Sequence, residues 1–226
     1  MDTLTHALSG ALLARATAPQ QSDEKTLPLG RRLFVGFLAA AAPDLDFVIS
    51  YLGPVEYLYH HRGVTHSLIM LPLWAFLLSK LCAVIWRRDR PWRAYFGVIA
   101  LGLGIHIAGD WITSFGTMVF APLSDARVGI GTTFIIDFWF TGIILAGLAA
   151  CVVWRASPVP AIAGLATLCG YIAFQGVLHA NFAPRPQNSA IRPVAQRVQD
   201  VTEIDRLAQA ILDSFDQRRV GVLAHR

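Results

Sequence analysis

The chain has 226 residues, of which 54% are hydrophobic and only 15% are charged, and its formal net charge is +4. Soluble domains carry about 25% charged residues, so this composition and a mean hydropathy of +0.49 exclude an ordinary soluble domain and indicate a membrane protein. The arginines cluster beside apolar runs, which indicates membrane topology, and we expect no nucleic-acid partner.

Six apolar segments follow one another along the chain, at 3–18, about 33–52, 68–86, about 94–114, about 134–154 and about 160–180. The first is short for a membrane span, so the sequence predicts an all-α fold, a polytopic membrane helix bundle with five to six spans. Apolar residues recur at steps of three and four in the polar tail, which predicts an amphipathic C-terminal helix. We therefore expect a transmembrane helical domain over residues 1–180 and an extramembrane tail over residues 181–226.

Basic residues are distributed unequally between the connections. Alternate connections, with Arg15 counted, contain nine: Arg15, Lys25, Arg31, Arg32, Arg87, Arg88, Arg90, Arg93 and Arg155. The opposite connections, 53–67 and 115–133, contain two, Arg62 and Arg127. The positive-inside rule assigns the first set to the cytoplasm. We expect an integral protein of the bacterial inner membrane, with the opposite connections on the periplasmic or extracellular side.

Residues 59–67 gather three histidines, an arginine, a threonine and a serine at the mouth of the third apolar segment. Histidines at the edge of a membrane span indicate a metal site, and His61 and His66 are candidate ligands. Arg62 is a candidate clamp for a substrate anion because guanidinium matches phosphate and carboxylate geometry. Thr65 and Ser67 are interpreted as caps of the following span. The alternative is an exposed histidine loop at the membrane interface.

Two further motifs place carboxylates inside apolar segments. His106 and Asp110 are four residues apart, so they lie one turn apart on one helix face and both can reach one metal ion. Asp44 and Asp46 follow Pro43, which removes a backbone donor and can bend the segment. Both could then reach the metal, or one of them could orient a histidine. At least one of the two is expected at the metal, with Asp46 favoured. The alternative for these aspartates is a helix N-cap.

These residues fall on one side of the membrane in the topology drawn from the basic residues alone. A rise of about 1.5 Å per residue places Asp44 roughly 16 Å and His106 roughly 18 Å from the inner ends of their spans. His6, His61 and His66 lie at the outer ends of their segments. The topology therefore predicts one site in the outer half of the membrane.

Four motifs in order resemble those of a known family, the YdjM-type (LexA-regulated) membrane-bound metal-dependent hydrolases. They are Asp2-Thr3-Leu4-Thr5-His6, Pro43-Asp44-Leu45-Asp46, His61-Arg62-Gly63-Val64-Thr65-His66-Ser67 and His106-Ile107-Ala108-Gly109-Asp110. The order of these residues is also similar to that of zinc-dependent phospholipase C, in which they bind zinc ions that hydrolyse phosphoesters. The resemblance implies a set of metal ligands: His6, Asp46, His66, His106 and Asp110. The phospholipase pattern continues with further histidines after the pair that corresponds to His106 and Asp110. This chain has no histidine between His106 and His179, so we expect one or two ions and not three.

A membrane-embedded metal-dependent hydrolase is the favoured hypothesis. Histidine and carboxylate ligands without thiolate suit Zn²⁺, with Mn²⁺ as the second choice. The metal would supply hydroxide, and Asp44 or Asp110 would act as general base. Thr113 is placed to bind substrate oxygens together with Arg62. A site open to the outer leaflet indicates membrane lipid as a partner and an ester or phosphoester bond in a lipid-like substrate.

Two other hypotheses share the same residues. Intramembrane carboxylates and histidines are also typical of a transporter or channel for a metal ion or a proton. Such a path requires polar residues at successive depths, whereas the inner half of the predicted spans is almost purely apolar. A non-catalytic membrane protein with a structural metal site is the third hypothesis.

Overall fold

Six α-helices make up most of the residues that the computed structural model describes, which are 1–19, 25–53, 57, 61–87 and 89–182. In chain order they are α1 (Thr3–Ala16), α2 (Leu29–Ala41), α3 (Leu71–Ile85), α4 (Trp92–Trp111), α5 (Phe138–Val153) and α6 (Val159–Phe182). Two 3₁₀ helices, Ala42–Leu52 and Val64–His66, lie between α2 and α3 in the chain. These described ranges contain no β-strand. Two isolated β-bridges lie within the segment that connects α4 to α5. The predicted all-α fold is confirmed.

Helix α1 is the central helix of the bundle, and it packs against α2, α4, α5 and α6. Its approach to α2 is closest where Gly10 faces Gly36. A Cβ atom at Gly36 would lie 2.7 Å from the Cβ of Ala14 and 2.7 Å from the carbonyl oxygen of Gly10, so only glycine permits this contact. Small residues are the usual means of close helix packing in membranes. This contact fixes the position of α2 and of the 3₁₀ helix that follows it.

The described helices enclose two buried apolar cores. One lies between α2, α3 and α4 and contains Val35, Tyr95 and Ile99. The other lies between α1, α5 and α6 and contains Leu12 and Ile144. Because α1 and α2 are in close contact, the two cores are held together by the glycine pair described above.

Side-chain contacts at the helix ends show which termini share an end of the bundle. At one end, His6 near the start of α1 contacts Asp110 near the end of α4. At the other end, Arg32 of α2 donates to the carbonyl oxygen of Ala14 near the end of α1. Arg15 donates there to the carbonyl oxygen of Arg155, which follows α5. These arginines of the predicted cytoplasmic connections therefore lie at the end away from His6 and Asp110.

The number of membrane spans is only partly supported by the helix lengths. Within the described residues, α4 and α6 are long and apolar enough to cross a membrane, whereas α3 and α5 are apolar but shorter. The structure therefore does not confirm the predicted five to six spans. Many large apolar side chains are exposed on the outside of the bundle, as helices that face lipid require. Examples on α6 are Phe174, Val177 and Phe182.

Among the predicted apolar segments, 33–52 differs most from the structure observed at the same residues. Helix α2 begins earlier, at Leu29, and ends at Ala41, after which the chain continues as a 3₁₀ helix. Pro43 accounts for this change, because it has no N–H to donate to the carbonyl oxygen of Ala39 and its ring obstructs a continued α-helix. The predicted tail 181–226 lies outside the described residues, apart from the last two residues of α6.

Candidate metal centre

Four side chains converge at the end of the bundle where α1 begins. One nitrogen each of His66 and His106 and one carboxylate oxygen each of Asp44 and Asp110 all lie within 4.8 Å of one another. Asp44 belongs to the first 3₁₀ helix, His66 ends the second, and the other two lie one turn apart on α4. We call this group the four-residue cluster.

The distances within the four-residue cluster suit a single small metal ion. The Nε2 atom of His66 lies 3.5 Å from Oδ1 of Asp44 and 3.3 Å from Oδ2 of Asp110. The Nε2 atom of His106 lies 3.6 Å and 3.4 Å from the same two oxygens. Donor atoms bound tetrahedrally at about 2.0–2.2 Å from a zinc ion stand roughly 3.3–3.6 Å apart. The spacing of these four pairs therefore suits one small metal ion bound by two nitrogen and two oxygen donors.

The imidazole of His106 is oriented by the backbone of α2. Its Nδ1 atom lies 2.6 Å from the carbonyl oxygen of Ala40, the last residue but one of α2. Because a carbonyl oxygen can only accept, Nδ1 carries the proton and Nε2 keeps its lone pair. The Nε2 atom is therefore in the form that binds a metal ion.

The imidazole of His66 is oriented by a neighbouring hydroxyl group. The Oγ1 atom of Thr65 lies 2.9 Å from Nδ1 of His66 and donates to Oδ2 of Asp46 over 3.4 Å. Since the hydroxyl proton points to Asp46, the hydroxyl oxygen accepts from Nδ1 of His66 and leaves Nε2 with its lone pair. Burial lowers the pKa of His66, so its imidazole is neutral and able to bind a metal ion.

The cluster contains buried polar atoms that have no hydrogen-bond partner among the described residues. They are Oδ2 of Asp44, Nε2 of His66, Nε2 of His106 and Oδ2 of Asp110. An unsatisfied buried polar group costs about 1–3 kcal/mol, and more when it is charged. A divalent cation would satisfy two lone pairs and two carboxylates at once. The donor set and its unpartnered atoms therefore fit a bound metal ion.

The two carboxylate oxygens of Asp110 have different surroundings. Oδ2 faces the cluster, whereas Oδ1 lies 3.1 Å from Nε2 of His6 and 2.9 Å from an Nη atom of Arg62. The nitrogen of Met1 also contacts Oδ1. His6, a predicted ligand, stacks on His106 with the ring centroids 3.8 Å apart and lies beside the cluster. The contacts of His6 thus hold a carboxylate and an imidazole in place.

Asp46 and His61, two other predicted ligands, form a pair next to the cluster. The Nδ1 atom of His61 lies 3.0 Å and 3.1 Å from the two oxygens of Asp46. The backbone N–H of Arg62 donates to Oδ2 of Asp46 over 3.3 Å. The sequence favoured Asp46 over Asp44, but the structure brings Asp44 into the cluster. In a 3₁₀ helix, with about three residues per turn, residues two apart point roughly 120° away from each other, so the aspartates face different partners.

Arg62 and Thr113, the predicted substrate-binding residues, contact each other beside the cluster. Both are buried, and the guanidinium of Arg62 donates to Oγ1 of Thr113 over 2.8 Å. The guanidinium also lies over the ring of Phe115, 5.0 Å from its centroid. The Nε atom of Arg62 has no partner among the residues that the structure describes. A cationic donor is therefore available next to the carboxylate of Asp110.

Two parts of this arrangement have no counterpart in the sequence analysis. The carbonyl oxygen of Ala40 carries no side-chain signal, so no motif could have indicated its bond to His106. Thr65 and Ser67 were interpreted as caps of the following span, but α3 begins at Leu71 with Met70 at the N-cap position and no side-chain cap hydrogen bond. The hydroxyl of Thr65 contacts His66, and the hydroxyl of Ser67 accepts from the N–H of Ile69 over 3.1 Å in the turn before α3. His60 of the histidine-rich segment lies outside the described residues.

The comparisons with known proteins agree with the motifs. The model of a family described as YdjM inner membrane protein matches residues 1–182, which include all four residues of the cluster. The chain is similar to the uncharacterized protein YfhP of Bacillus subtilis (strain 168), at 25% identity over 177 residues. That match covers 78% of this chain and 52% of YfhP, so the chain spans about half the length of this curated relative. No solved structure matches. The chain belongs to the YdjM family of inner membrane proteins.

Proposed function

We propose that this membrane protein is a metal-dependent hydrolase that cleaves phosphoester or other ester bonds in amphiphilic substrates at the outer leaflet. The observation that carries the proposal is the convergence of His66, His106, Asp44 and Asp110. Their unpartnered atoms stand beside a buried arginine whose Nε also lacks a partner among the described residues. Hydrolysis of an anionic ester requires a metal cation next to a hydrogen-bond donor that binds the anion.

The ion that fits best is Zn²⁺, with Mn²⁺ as the second choice. Two imidazoles and two carboxylates without a thiolate suit either ion, and the spacing of about 3.3–3.6 Å expected between tetrahedral ligands favours zinc. His66, His106, Asp44 and Asp110 would hold the ion, and His6, Asp46 and His61 would support a second ion or orient the first. When bound, the ion polarises a substrate oxygen and lowers the pKa of a water molecule toward 7.

Asp44 is the residue that we assign as general base. It is the least buried member of the cluster, with 12% of its side chain exposed, so we assign the approach of water and substrate to this side. Its Oδ2 atom has no partner among the described residues and can hold the proton taken from the attacking water. Asp110 is less suited to this role, because its Oδ1 atom already accepts from His6 and Arg62.

Arg62 is the residue that we assign to the substrate anion. Its hydrogen bonds to Thr113 and Asp110 fix the guanidinium plane, and its ring contact with Phe115 restricts the side chain further. The Nε–H is therefore held in a fixed position, and we assign it to the substrate anion because it has no partner among the described residues. Guanidinium is preferred to ammonium for such a task because its donors are rigid and planar.

The orientation in the membrane follows from the placement of charge. The site lies at the end of the bundle away from Arg15, Arg32 and Arg155. The positive-inside rule assigns that basic end to the cytoplasm, so the site opens to the periplasm or the exterior. In this topology α1 to α6 provide five to six spans, with the shorter helices accommodated by local thinning of the bilayer. Labelling of single cysteines at positions 126 and 155, both exposed, with a membrane-impermeant reagent tests this in a cysteine-free background: only the first should react in intact cells.

The metal proposal is tested by elemental mass spectrometry on the purified protein. Wild type is expected to retain about one zinc ion per chain, and His106→Ala is expected to lose it. His179→Ala is the matched control, since His179 is exposed and outside the cluster. Equal metal content in wild type and His106→Ala would remove His106 from the site. Hydrolysis of bis-p-nitrophenyl phosphate and of phosphatidylglycerol in micelles, with and without a chelator, then tests the reaction.

A structural metal site is the competing function, and one observation favours it. Four protein donors can fill a tetrahedral zinc ion and leave no position for water. The two functions differ in their response to Asp44→Asn. Asp44→Asn removes a carboxylate of the cluster and is expected to weaken zinc binding in both cases. With zinc at saturating concentration, a hydrolase would lose turnover in this variant, whereas a structural site would show no turnover in wild type and only lower thermal stability in the variant.

A further inference from the structure

A second polar site lies at the opposite end of the bundle from the four-residue cluster. There the end of α1, the start of α2 and the turn between α5 and α6 surround a cavity of about 430 Å³. Arg15, Arg32 and Arg155 line this cavity, which we call the arginine cavity. Helix α1 rises roughly 14 Å between His6 and Arg15, so the cavity is separate from the metal centre.

The arginine cavity contains positive charge without a described counter-charge. Its lining has three guanidinium groups and, among the described residues, no carboxylate. Arg15 is only 6% exposed. Like charges this close repel one another, and a buried charge is unfavourable unless an opposite charge or strong hydrogen bonds compensate for it. The cavity is thus electrostatically suited to an anion.

The described hydrogen bonds of these arginines use only neutral oxygens. Arg15 donates to the carbonyl oxygens of Arg155 and Ser157, over 2.9 Å and 2.6 Å. Arg32 donates to the carbonyl oxygens of Ala14 and Thr17 and to the Thr17 hydroxyl, each over 2.9 Å. Arg155 donates to the carbonyl oxygen of Val152. These bonds hold the side chains in place around the cavity, and none of them pairs an arginine with a carboxylate of the described residues.

We propose that the arginine cavity binds a phosphate group. Guanidinium groups bind phosphate oxygens through paired N–H donors, and three such groups around one cavity can contact several oxygens together. Leu27, Leu29 and Pro158 form an apolar part of the wall, which suits the carbon chain attached to a phosphoester. The phosphate belongs either to an anionic phospholipid headgroup or to a soluble phosphate compound. Basic pockets between helices at the cytoplasmic face are typical sites for phospholipid headgroups.

The two sources of phosphate are separated by thermal unfolding of the full-length protein in neutral detergent. One arm compares phosphatidylglycerol with phosphatidylcholine at equal mole fraction, and the other compares sodium phosphate with sodium chloride at equal ionic strength. A ligand that binds the folded state raises the unfolding midpoint. A midpoint raised by phosphatidylglycerol identifies a lipid, and one raised by phosphate alone identifies a soluble compound. No increase in either arm overturns the proposal.

Variants test whether the arginine cavity is the site. Arg155→Gln removes an exposed side chain whose described bond stays within its own turn, so the variant is expected to fold. Its apparent Kd for the stabilising ligand should rise about fivefold, the scale of one exposed charge pair. Arg32→Lys, which keeps the charge and loses the planar donors, should also weaken binding.

Arg93→Gln is the control, because it removes an exposed charge from the start of α4 without lining the cavity. An equal loss of affinity in Arg93→Gln and Arg155→Gln would show attraction to overall charge and would overturn the proposal. Zinc content should be the same in all three variants, so a failure here is distinct from a failure of the proposed metal centre.

Discussion

The carbonyl oxygen of Ala40 accepts a 2.6 Å hydrogen bond from Nδ1 of His106, and this bond joins α2 to the four-residue cluster. It determines which nitrogen of His106 faces Asp44 and Asp110. Ala40 is completely buried, and its Cβ lies against Gly10 of α1. The packing of α1 on α2 therefore supports the geometry of the cluster.

Gly10→Ala tests this relationship. The new Cβ would collide with the carbonyl oxygen of Gly36 and with the Cβ of Ala40, which moves α2 and with it the acceptor of His106. We expect a loss of about 1–3 kcal/mol in the free energy of unfolding, typical of overpacking, and weaker zinc binding in competition with a chelator.

Gly97→Ala is the matched control for that substitution. Among the described residues, no atom outside the neighbouring backbone of α4 lies within 4 Å of a Cβ at Gly97, which is inside that helix. Replacing glycine by alanine inside a helix raises the free energy of unfolding by about 0.5–1 kcal/mol, so Gly97→Ala should be slightly more stable than wild type. If both variants change stability and zinc affinity in the same direction, the contact between Gly10 and Ala40 does not support the cluster.

His66→Ala and His6→Ala should differ in their effect on zinc. The Nε2 atom of His66 belongs to the cluster, whereas Nε2 of His6 contacts the outer oxygen of Asp110. His66→Ala is therefore expected to abolish stoichiometric zinc, and His6→Ala to weaken its affinity by about 10–100-fold, as groups that orient a ligand do. Titration against a fluorescent chelator measures both. A complete loss of zinc in His6→Ala would instead make His6 a direct ligand.

Thr65 offers a test of how His66 is oriented. Thr65→Val removes the hydroxyl that lies 2.9 Å from Nδ1 of His66 but keeps the shape of the side chain, whereas Thr65→Ser keeps the hydroxyl. We expect zinc affinity to fall by about 10–100-fold in Thr65→Val and to stay near wild type in Thr65→Ser. Chelator competition provides the measurement. Equal affinity in the two variants would assign the orientation of His66 to packing and not to the hydroxyl.

The helices were largely predictable because apolar runs between polar connections leave the backbone few other ways to satisfy its hydrogen bonds in lipid. The pairing of His106 with Asp110 was also accessible, because the spacing on a helix fixes their common face. The choice between Asp44 and Asp46 was not accessible from spacing alone. It depends on the 3₁₀ conformation after Pro43 and on which partners lie around it.

The orientation of the imidazoles could not be predicted from the sequence. Ala40 contributes a backbone carbonyl, which every residue has, and its neighbour His106 is distant in the chain. The placement of His6 beside the cluster depends on how α1 packs between α2 and α4, which motif order does not define. Tertiary packing, not residue type, therefore decides which of the predicted residues face one another.

Arg62→Lys tests the assigned role of the guanidinium in the proposed reaction. Lysine keeps the charge but cannot bond Thr113 and Asp110 together and present a third N–H at a fixed angle. We expect kcat/KM for a phosphodiester to fall by about 10–100-fold, the scale of one charge-assisted hydrogen bond. Zinc content should not change, because Oδ2 of Asp110 still faces the cluster and His6 still contacts Oδ1.

Arg127→Lys is the comparison, since Arg127 also lies over Phe115 but donates to the carbonyl oxygen of His61. A smaller loss in Arg127→Lys than in Arg62→Lys supports a direct contact between Arg62 and the substrate. Equal losses would mean that both arginines act through the general positive charge of the site, and loss of zinc in Arg62→Lys would mean that Arg62 acts through Asp110.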